Sequence, residues 1–213
     1  MRQGSAKQLH RGGKWDSRGI VVDVGREGPI DPAALFSRQR PVEVEVGSGK
    51  GTFVLARAAA RPEVNLLGIE YAGSYCHYTA DRVRRAGLSN VRMLHADAGE
   101  VFARLPAAAL ARVHIYFPDP WPKRRHHRRR LLQVRFLPRL LRTLAPGGEL
   151  LIVTDHVGYF QQIRRILTDV PGLARMPFPR MTDAGGQIVG TNFERKYIAQ
   201  GRAFYSLARF RYA

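Results

Sequence analysis

Between residues 42 and 154 the chain repeats one pattern: a short apolar run, a turn, then an amphipathic stretch. The first instance is the clearest. Val42-Glu43-Val44-Glu45-Val46 alternates as a strand does and ends at Gly47-Ser48-Gly49-Lys50-Gly51. An apolar-periodic stretch over 52–60 follows and stops at Arg61-Pro62, so the reading is strand, glycine turn, helix. Residues 65–70 (NLLGIE), 91–97 (VRMLHAD), 112–117 and 149–154 (ELLIVT) predict four further strands. Helices are expected over 75–86, from 98 to about 105, over 131–144 with Pro138 as a kink or break, and over 157–168. Strands alternating with helices at this spacing need right-handed crossovers, which give a parallel sheet covered on both faces. The tail differs: a short helix over 192–200 precedes a strand-like run at 203–212. With no crossover helix after it, that last strand can join the sheet antiparallel.

A chain of 213 residues suits one domain with a sizeable core. Its net charge of +18 and pI near 11.2 restrict its partners. Most of the cations are arginines, whose planar fork matches phosphate, and an excess this large points to nucleic acid or an anionic surface. No apolar run reaches the roughly 18 residues a membrane span needs. The basic N-terminus has no apolar segment behind it, so it does not read as a secretory signal. The single cysteine, Cys76, permits no intrachain disulfide and fits a reducing compartment, so a cytoplasmic protein is expected. Residues 1–40, rich in Gly and Arg and broken by Pro29 and Pro32, read as a basic arm that is partly disordered or folds on a partner. The domain proper is expected at 41–213.

Three constellations carry chemistry. In the first, Gly47, Gly49 and Gly51 sit between a strand and a helix, where a ligand can approach the backbone. The spacing fits neither a P-loop nor G-x-G-x-x-G, because Thr52 stands where the third glycine belongs. Glu45 closes the first strand. Glu70 closes the second, where a carboxylate can accept from both ribose hydroxyls of a nucleoside. Asp97 closes the third, within reach of an adenine edge. Together they point to a nucleoside ligand, with S-adenosylmethionine favoured over a dinucleotide.

The second is FPDPWPKRRHHRRR at 117–130. Pro118, Pro120 and Pro122 force a stiff turn outside any helix or central strand. Asp119 follows the fourth strand and therefore lies at the same edge as the glycine turn. Trp121 can stack on a base. Lys123, Arg124, Arg125, His126, His127, Arg128, Arg129 and Arg130 then form a block suited to phosphates, with a salt-dependent affinity. Adjacent histidines and a lone cysteine do not make a zinc site, and no metal is expected. The third comprises Thr154-Asp155, closing the fifth strand, and Thr191-Asn192-Phe193-Glu194. Thr191 and Asn192 can cap a helix, with Glu194 in its first turn. A carboxylate among them can also accept from the N1 and N2 hydrogens of guanine.

These segments resemble those of the bacterial tRNA (guanine-N7)-methyltransferases. The resemblance covers about 42–201. It is carried by EVGSGKG at 45–51, GIE at 68–70, DA at 97–98, FPDPWPKRRHHRRRL at 117–131, TD at 154–155 and TNFERK at 191–196. The proline–tryptophan–basic stretch is the most specific of them. The resemblance implies an α/β, Rossmann-like class I S-adenosylmethionine-dependent methyltransferase fold with a mostly parallel seven-stranded sheet and helices on both faces. It implies transfer to guanosine 46 in the variable loop of tRNA. Carried over by position, Glu45, Gly47, Gly49, Gly51, Glu70, Asp97 and Asp119 would form the donor site. Lys123, Asp155, Thr191, Asn192, Phe193 and Glu194 would contact the substrate. Arg125, His126, His127, Arg128, Arg129 and Arg130 would contact RNA. Asp119 is expected to orient guanine or donor rather than abstract a proton. Two rivals are an RNA base methyltransferase of another specificity and a non-catalytic RNA-binding module on the same fold.

Overall fold

The computed structural model describes residues 14–182 and 186–212. Its centre is a seven-stranded sheet in the order β3-β2-β1-β4-β5-β7-β6. The strands are β1 (Val42–Val46), β2 (Asn65–Glu70), β3 (Val91–His95), β4 (Leu110–Tyr116), β5 (Leu144–Thr154), β6 (Leu173–Met176) and β7 (Tyr205–Arg211). The helices are α1 (Thr52–Ala60), α2 (Gly73–Arg85), α3 (Ala98–Arg104), α4 (Leu137–Thr143), α5 (Val157–Ile166) and α6 (Asn192–Ala199). β1 to β5 run parallel, and β7 lies antiparallel between β5 and β6. The chain moves outward through β2 and β3, then crosses back to β4, so the sheet has its switch point between β1 and β4. That is where such sheets open a crevice at the carboxyl ends of their strands.

Alternation along the strands sorts the side chains. Val44, Leu67, Ile69, Val113, Ile115, Leu150 and Ile152 meet Phe102, Leu140, Tyr159 and Ile163 of α3, α4 and α5 on one face. Leu66 and Met93 meet Val54, Ala58, Cys76, Ala80 and Val83 of α1 and α2 on the other. Each fully buried Leu or Ile contributes about 1.5–3 kcal/mol. On the α1 face a polar chain lies between two apolar clusters. Glu43 accepts from Arg57 (2.9 and 2.6 Å) and from His114 Nε2 (2.9 Å), and the Tyr116 hydroxyl bonds His114 Nδ1 at 2.7 Å. Burial would raise the Glu43 carboxyl, but its bonds to His114 and Arg57 outweigh that and hold it well below the carboxylate range. Burial lowers His114 against the pull of Glu43, so the neutral ring donates from Nε2 and accepts the Tyr116 proton at Nδ1.

Four expectations change. The helix expected over 131–144 is only Leu137–Thr143, because Pro138 sits in its first turn, where a missing N–H costs nothing, and so begins the helix instead of kinking it. β5 starts at Leu144 rather than 149, with a register irregularity against β4 between Leu110 and Arg112. β6, an edge strand, had no sequence assignment. Residues 14–40 are ordered against the domain: Met93 N–H donates to Ile20 (2.9 Å) and Val22 N–H to Met93 (3.0 Å), extending the sheet beyond β3. Ile30 and Phe36 enter the core, and the Arg104 guanidinium binds the carbonyls of Val24, Gly25, Glu27 and Gly28. Residues 1–13 of the expected arm lie outside the described residues. No helix among those described is long and apolar enough to cross a membrane.

Candidate active site at the carboxyl edge of the sheet

Strand register gathers the predicted residues. Val46 pairs with Ile69 and Ile115, Glu70 with His95, and Tyr116 with Val153. The residues just beyond these pairs are Gly47, Tyr71, Asp97, Phe117 to Asp119, and Asp155. All emerge at one edge.

Gly47, Gly49 and Gly51 hold φ of 79°, 52° and 70°, a conformation that side-chain-bearing residues avoid. Around Gly47 there is open space and a Cβ on Gly49 would only touch the Gly47 carbonyl oxygen at 4.0 Å, whereas a Cβ on Gly51 would lie 2.3 Å from Thr79 Cγ2. The first two glycines therefore form the mouth, and the third seats α1 against α2. Glu70 holds the turn from below: its two oxygens accept from Gly49 N–H and Ala72 N–H, each at 2.8 Å. Glu45 is different. It is 3% exposed, one of its oxygens has no hydrogen-bond partner, and Ser48 Oγ beside it has none either. Burial, with a smaller push from the charge of Glu70, raises its carboxyl to about 8, against a lowering contact from Ser48. Asp97 lies past the end of β3 and caps α3 by accepting from Glu100 N–H at 3.2 Å.

The proline loop follows β4 at the switch point. Phe117 and Trp121 hold φ of 51° and 41°, conformations that cost about 1–3 kcal/mol each and persist only where surroundings impose them. Phe117 N–H donates to Val153 (2.7 Å), and its ring packs on Tyr197, Phe204 and Phe193 at 5.4–6.3 Å. Trp121 meets Arg129 at 4.9 Å over its ring and the edge of His126 at 5.9 Å. Asp119 stands on the exposed loop between them, and partial loss of water raises its carboxyl. Residues Arg124–Arg129 form a 3-10 helix with Lys123 as its N-cap. Lys123, Arg124, Arg125, Arg128 and Arg129 are exposed, and His126 and His127 half-buried. Desolvation and the surrounding cations lower His126.

Arg130 is turned inward, contrary to its expected place facing RNA. It is 4% exposed, donates to Pro120 O (2.7 Å) and Gln162 Oε1 (2.5 Å), and lies 4.8 Å over the Tyr159 ring. It ties the proline loop to α5. Glu194 is likewise fully buried, accepting from the N–H groups of Ile188, Val189 and Gly190 at 2.6–3.0 Å. Thr191 caps α6 by accepting from Glu194 N–H at 3.0 Å. Both residues shape the segment ahead of α6, leaving Asn192 and Phe193 exposed. Asp155 is paired with Arg202, whose guanidinium lies 4.1 Å over Tyr197. The partners Tyr159, Gln162, Tyr197 and Arg202 carry no sequence signal and emerge only from the fold.

The family described as "Putative methyltransferase" (Methyltransf_4) matches residues 39–207. A tRNA (guanine-N(7)-)-methyltransferase of Nitrosococcus oceani is 40% identical over 196 residues, covering 91% of this chain and 80% of that protein. Its counterpart in Syntrophotalea carbinolica is 37% identical over 179 residues, covering 83% and 77%. The chain belongs to the tRNA (guanine-N(7)-)-methyltransferase family. The family member of Nocardia farcinica is 44% identical over 157 residues, covering 72% of this chain and 58% of that protein. Among solved structures, the 16S rRNA methyltransferase KamB superposes with a TM-score of 0.59 at 15% identity, over 90% of this chain and 97% of that one. A SAM-dependent methyltransferase from Aquifex aeolicus gives 0.55 at 15% identity, over 80% and 81%. At those identities the likeness shows the fold, which is that of class I S-adenosylmethionine-dependent methyltransferases.

The edge fits the donor that this family's fold takes. S-Adenosylmethionine carries an ammonium and a sulfonium against one carboxylate. A buried carboxyl with an unpartnered oxygen, an open glycine turn and further carboxylates at neighbouring strand ends offer acceptors to such a cation.

Proposed function

We propose that this chain transfers a methyl group from S-adenosylmethionine to N7 of a guanine in tRNA, guanosine 46 of the variable loop. The observation that carries the reading is the adjacency of Asp119, at the switch point beside the glycine turn, to the exposed cations that begin four residues later at Lys123. A base presented to the edge and the phosphates that flank it are thereby served by one stiff loop.

The donor supplies an electrophilic methyl group on sulfur. Guanine N7 carries an in-plane lone pair and no proton, so attack requires alignment and no prior deprotonation. Positioning of this kind can supply several of the roughly 7–11 kcal/mol available from orientation. In this reading Glu45, Gly47, Gly49, Glu70 and Asp97 hold the donor, and Gly51 seats the turn. Asp119 orients the reacting groups and favours the cation that develops on the purine. Lys123, Asp155, Asn192 and Phe193 meet the substrate, while Arg125, His126, His127, Arg128 and Arg129 track its backbone. Arg130, Thr191 and Glu194 act through the loops they hold.

Incubation with donor and an unmodified tRNA transcript tests this, followed by reduction and aniline cleavage, which cuts RNA at 7-methylguanine. Cleavage at the variable-loop guanosine is expected. Methyl incorporation without a cut would place the methyl on another atom and refute the assignment. The absence of incorporation, with donor binding retained, would favour the RNA-binding module.

A further inference from the structure

Three arginines gather at the far edge of the sheet. β6 and β7 pair so that Arg175 stands directly opposite Arg209, and like charges in that position repel across a ladder. Arg164 of α5 joins them: all three line one cleft of about 310 Å³, with Phe160, Phe178 and Ser206 among its walls. No carboxylate lines this cleft, and none pairs with these three arginines among the described residues. Arg209 is 8% exposed, and its hydrogen bond runs to the neighbouring carbonyl of Ala208 at 2.9 Å. Burial and then the charges of Arg175 and Arg164 lower its pKa.

A buried cation without a counterion is unfavourable, and a repelling pair placed above it adds to the cost. An anion entering the cleft removes both penalties. Guanidinium forks suit phosphate oxygens bidentately, and the apolar walls provide contact for a sugar.

We propose that the Arg164–Arg175–Arg209 cleft binds a backbone phosphate of the tRNA, as a second anchor separate from the basic proline loop; this rests on the proposed function. Arg209 pairs with Leu150, four residues before Thr154 on β5, which puts it about 13 Å from the carboxyl edge at about 3.3 Å per residue. A duplex strand advances about 3.4 Å per nucleotide in B-form and less in the A-form of RNA, so that depth lies about four to five nucleotides from a base held at the edge.

The test uses tRNA affinity as a function of salt for the full chain. In Arg164→Gln/Arg175→Gln both altered residues are exposed, so the fold is retained. The variant should bind an unmodified tRNA transcript roughly tenfold more weakly at 0.15 M salt, with the log–log salt slope reduced by about 1, the share of one phosphate, and donor affinity unchanged. Arg61→Gln/Arg85→Gln removes the same charge on the α1 and α2 side and should leave the slope intact. An unchanged slope in the cleft variant, or an equal drop in the control, overturns the proposal. If inorganic phosphate raises the melting temperature of the parent chain and not of the cleft variant while tRNA slopes match, the anion is a free phosphate and the RNA assignment fails. A parent chain with no salt-dependent tRNA affinity overturns the proposed function and this inference together; the other outcomes overturn the cleft alone.

Discussion

Glu45→Gln removes the one buried carboxyl at the edge that lacks a full set of partners. The folded state raises this group from its ordinary 4.5 to about 8. An acid whose folded pKa lies above its unfolded one keeps its proton longer in the fold. Across that window the unfolded chain has already released a proton that the folded chain retains, so stability falls as pH rises and levels off above it. At 1.36 kcal/mol per decade, roughly 3.5 kcal/mol is lost between pH 5 and pH 8. For a domain of this size that corresponds to about 10 °C in melting temperature. Gln is nearly isosteric and does not titrate. Thermal unfolding of both forms across pH 5–8 should therefore show the parent losing about 10 °C relative to Glu45→Gln, starting from similar values at the acidic end. The same logic reaches the donor. A cation set against Glu45 lowers its pKa, so donor uptake near pH 7 should release a proton, with stoichiometry approaching one. Titration calorimetry in two buffers of different ionisation heat measures that number. Parallel melting profiles would show that Glu45 is not strained by burial; zero proton release would show that the donor's charge does not sit against it.

Gly51→Ala would push a Cβ to 2.3 Å from Thr79 Cγ2 at a φ of 70°. A loss of about 2–4 kcal/mol in denaturant unfolding is expected, together with weaker donor binding, partly restored by Thr79→Ala. Glu194→Gln leaves three loop N–H groups facing a single acceptor oxygen. It should cost about 2–3 kcal/mol and raise KM for tRNA more than it lowers kcat; an effect on kcat alone would assign Glu194 to the chemistry instead. Asp119→Ala should lower turnover by about 100-fold or more while leaving tRNA affinity within about twofold. Collapse of tRNA affinity would mean that Asp119 binds RNA.

The parallel core was legible because each of its first five strands ends in a turn signal or an acid and precedes a helical period. The glycine turn and the acids at strand ends fell at one edge for the same reason: topology alone puts them there. What sequence could not give was direction. Arg130 and Arg129 are neighbours in one run of cations, yet Arg130 folds inward onto Pro120, Gln162 and Tyr159 while Arg129 covers Trp121. Only the packing of α5 distinguishes them. Glu194 reads as a first-turn acid, and its three N–H donors come from a segment with no period of its own. β1 carries one further signal. The alternation of β1 puts Glu43 and Glu45 on the same face, and a central strand covered on both sides must bury both. A buried carboxylate needs partners, and those of Glu43 are spread over α1 and β4 as Arg57 and His114. The arm at 14–40 hid its order because it is held by backbone pairing with the β3 edge, by a single arginine and by scattered apolar side chains such as Ile30 and Phe36, none of which sets up a hydrophobic period.

A chain with a net charge of +18 must still admit a cationic donor. It does so by segregation. Of its 17 acids, Glu45, Glu70, Asp97, Asp119 and Asp155 stand at the ends of five strands that lie side by side, so acids concentrate at this edge of a chain that is cationic as a whole. The basic block begins at Lys123, beyond the three prolines, and of its members Arg129 and Arg130 turn back onto Trp121 and Pro120. The proposed reaction suits this layout. Transfer to N7 shifts a positive charge from sulfur to the purine and creates no free proton, so the reacting centre carries one positive charge before the step and one after it, while the donor's ammonium is unchanged. No group at the edge has to change protonation state for the step to complete. The charge, however, has moved from the side of the edge held by Glu45 and Glu70 to the side reached from Asp119 and the basic loop. In the proposed reading, stabilising that displacement asks for acids fixed on both sides of the switch point, which gives Asp119 on its stiff loop a role that needs no proton transfer.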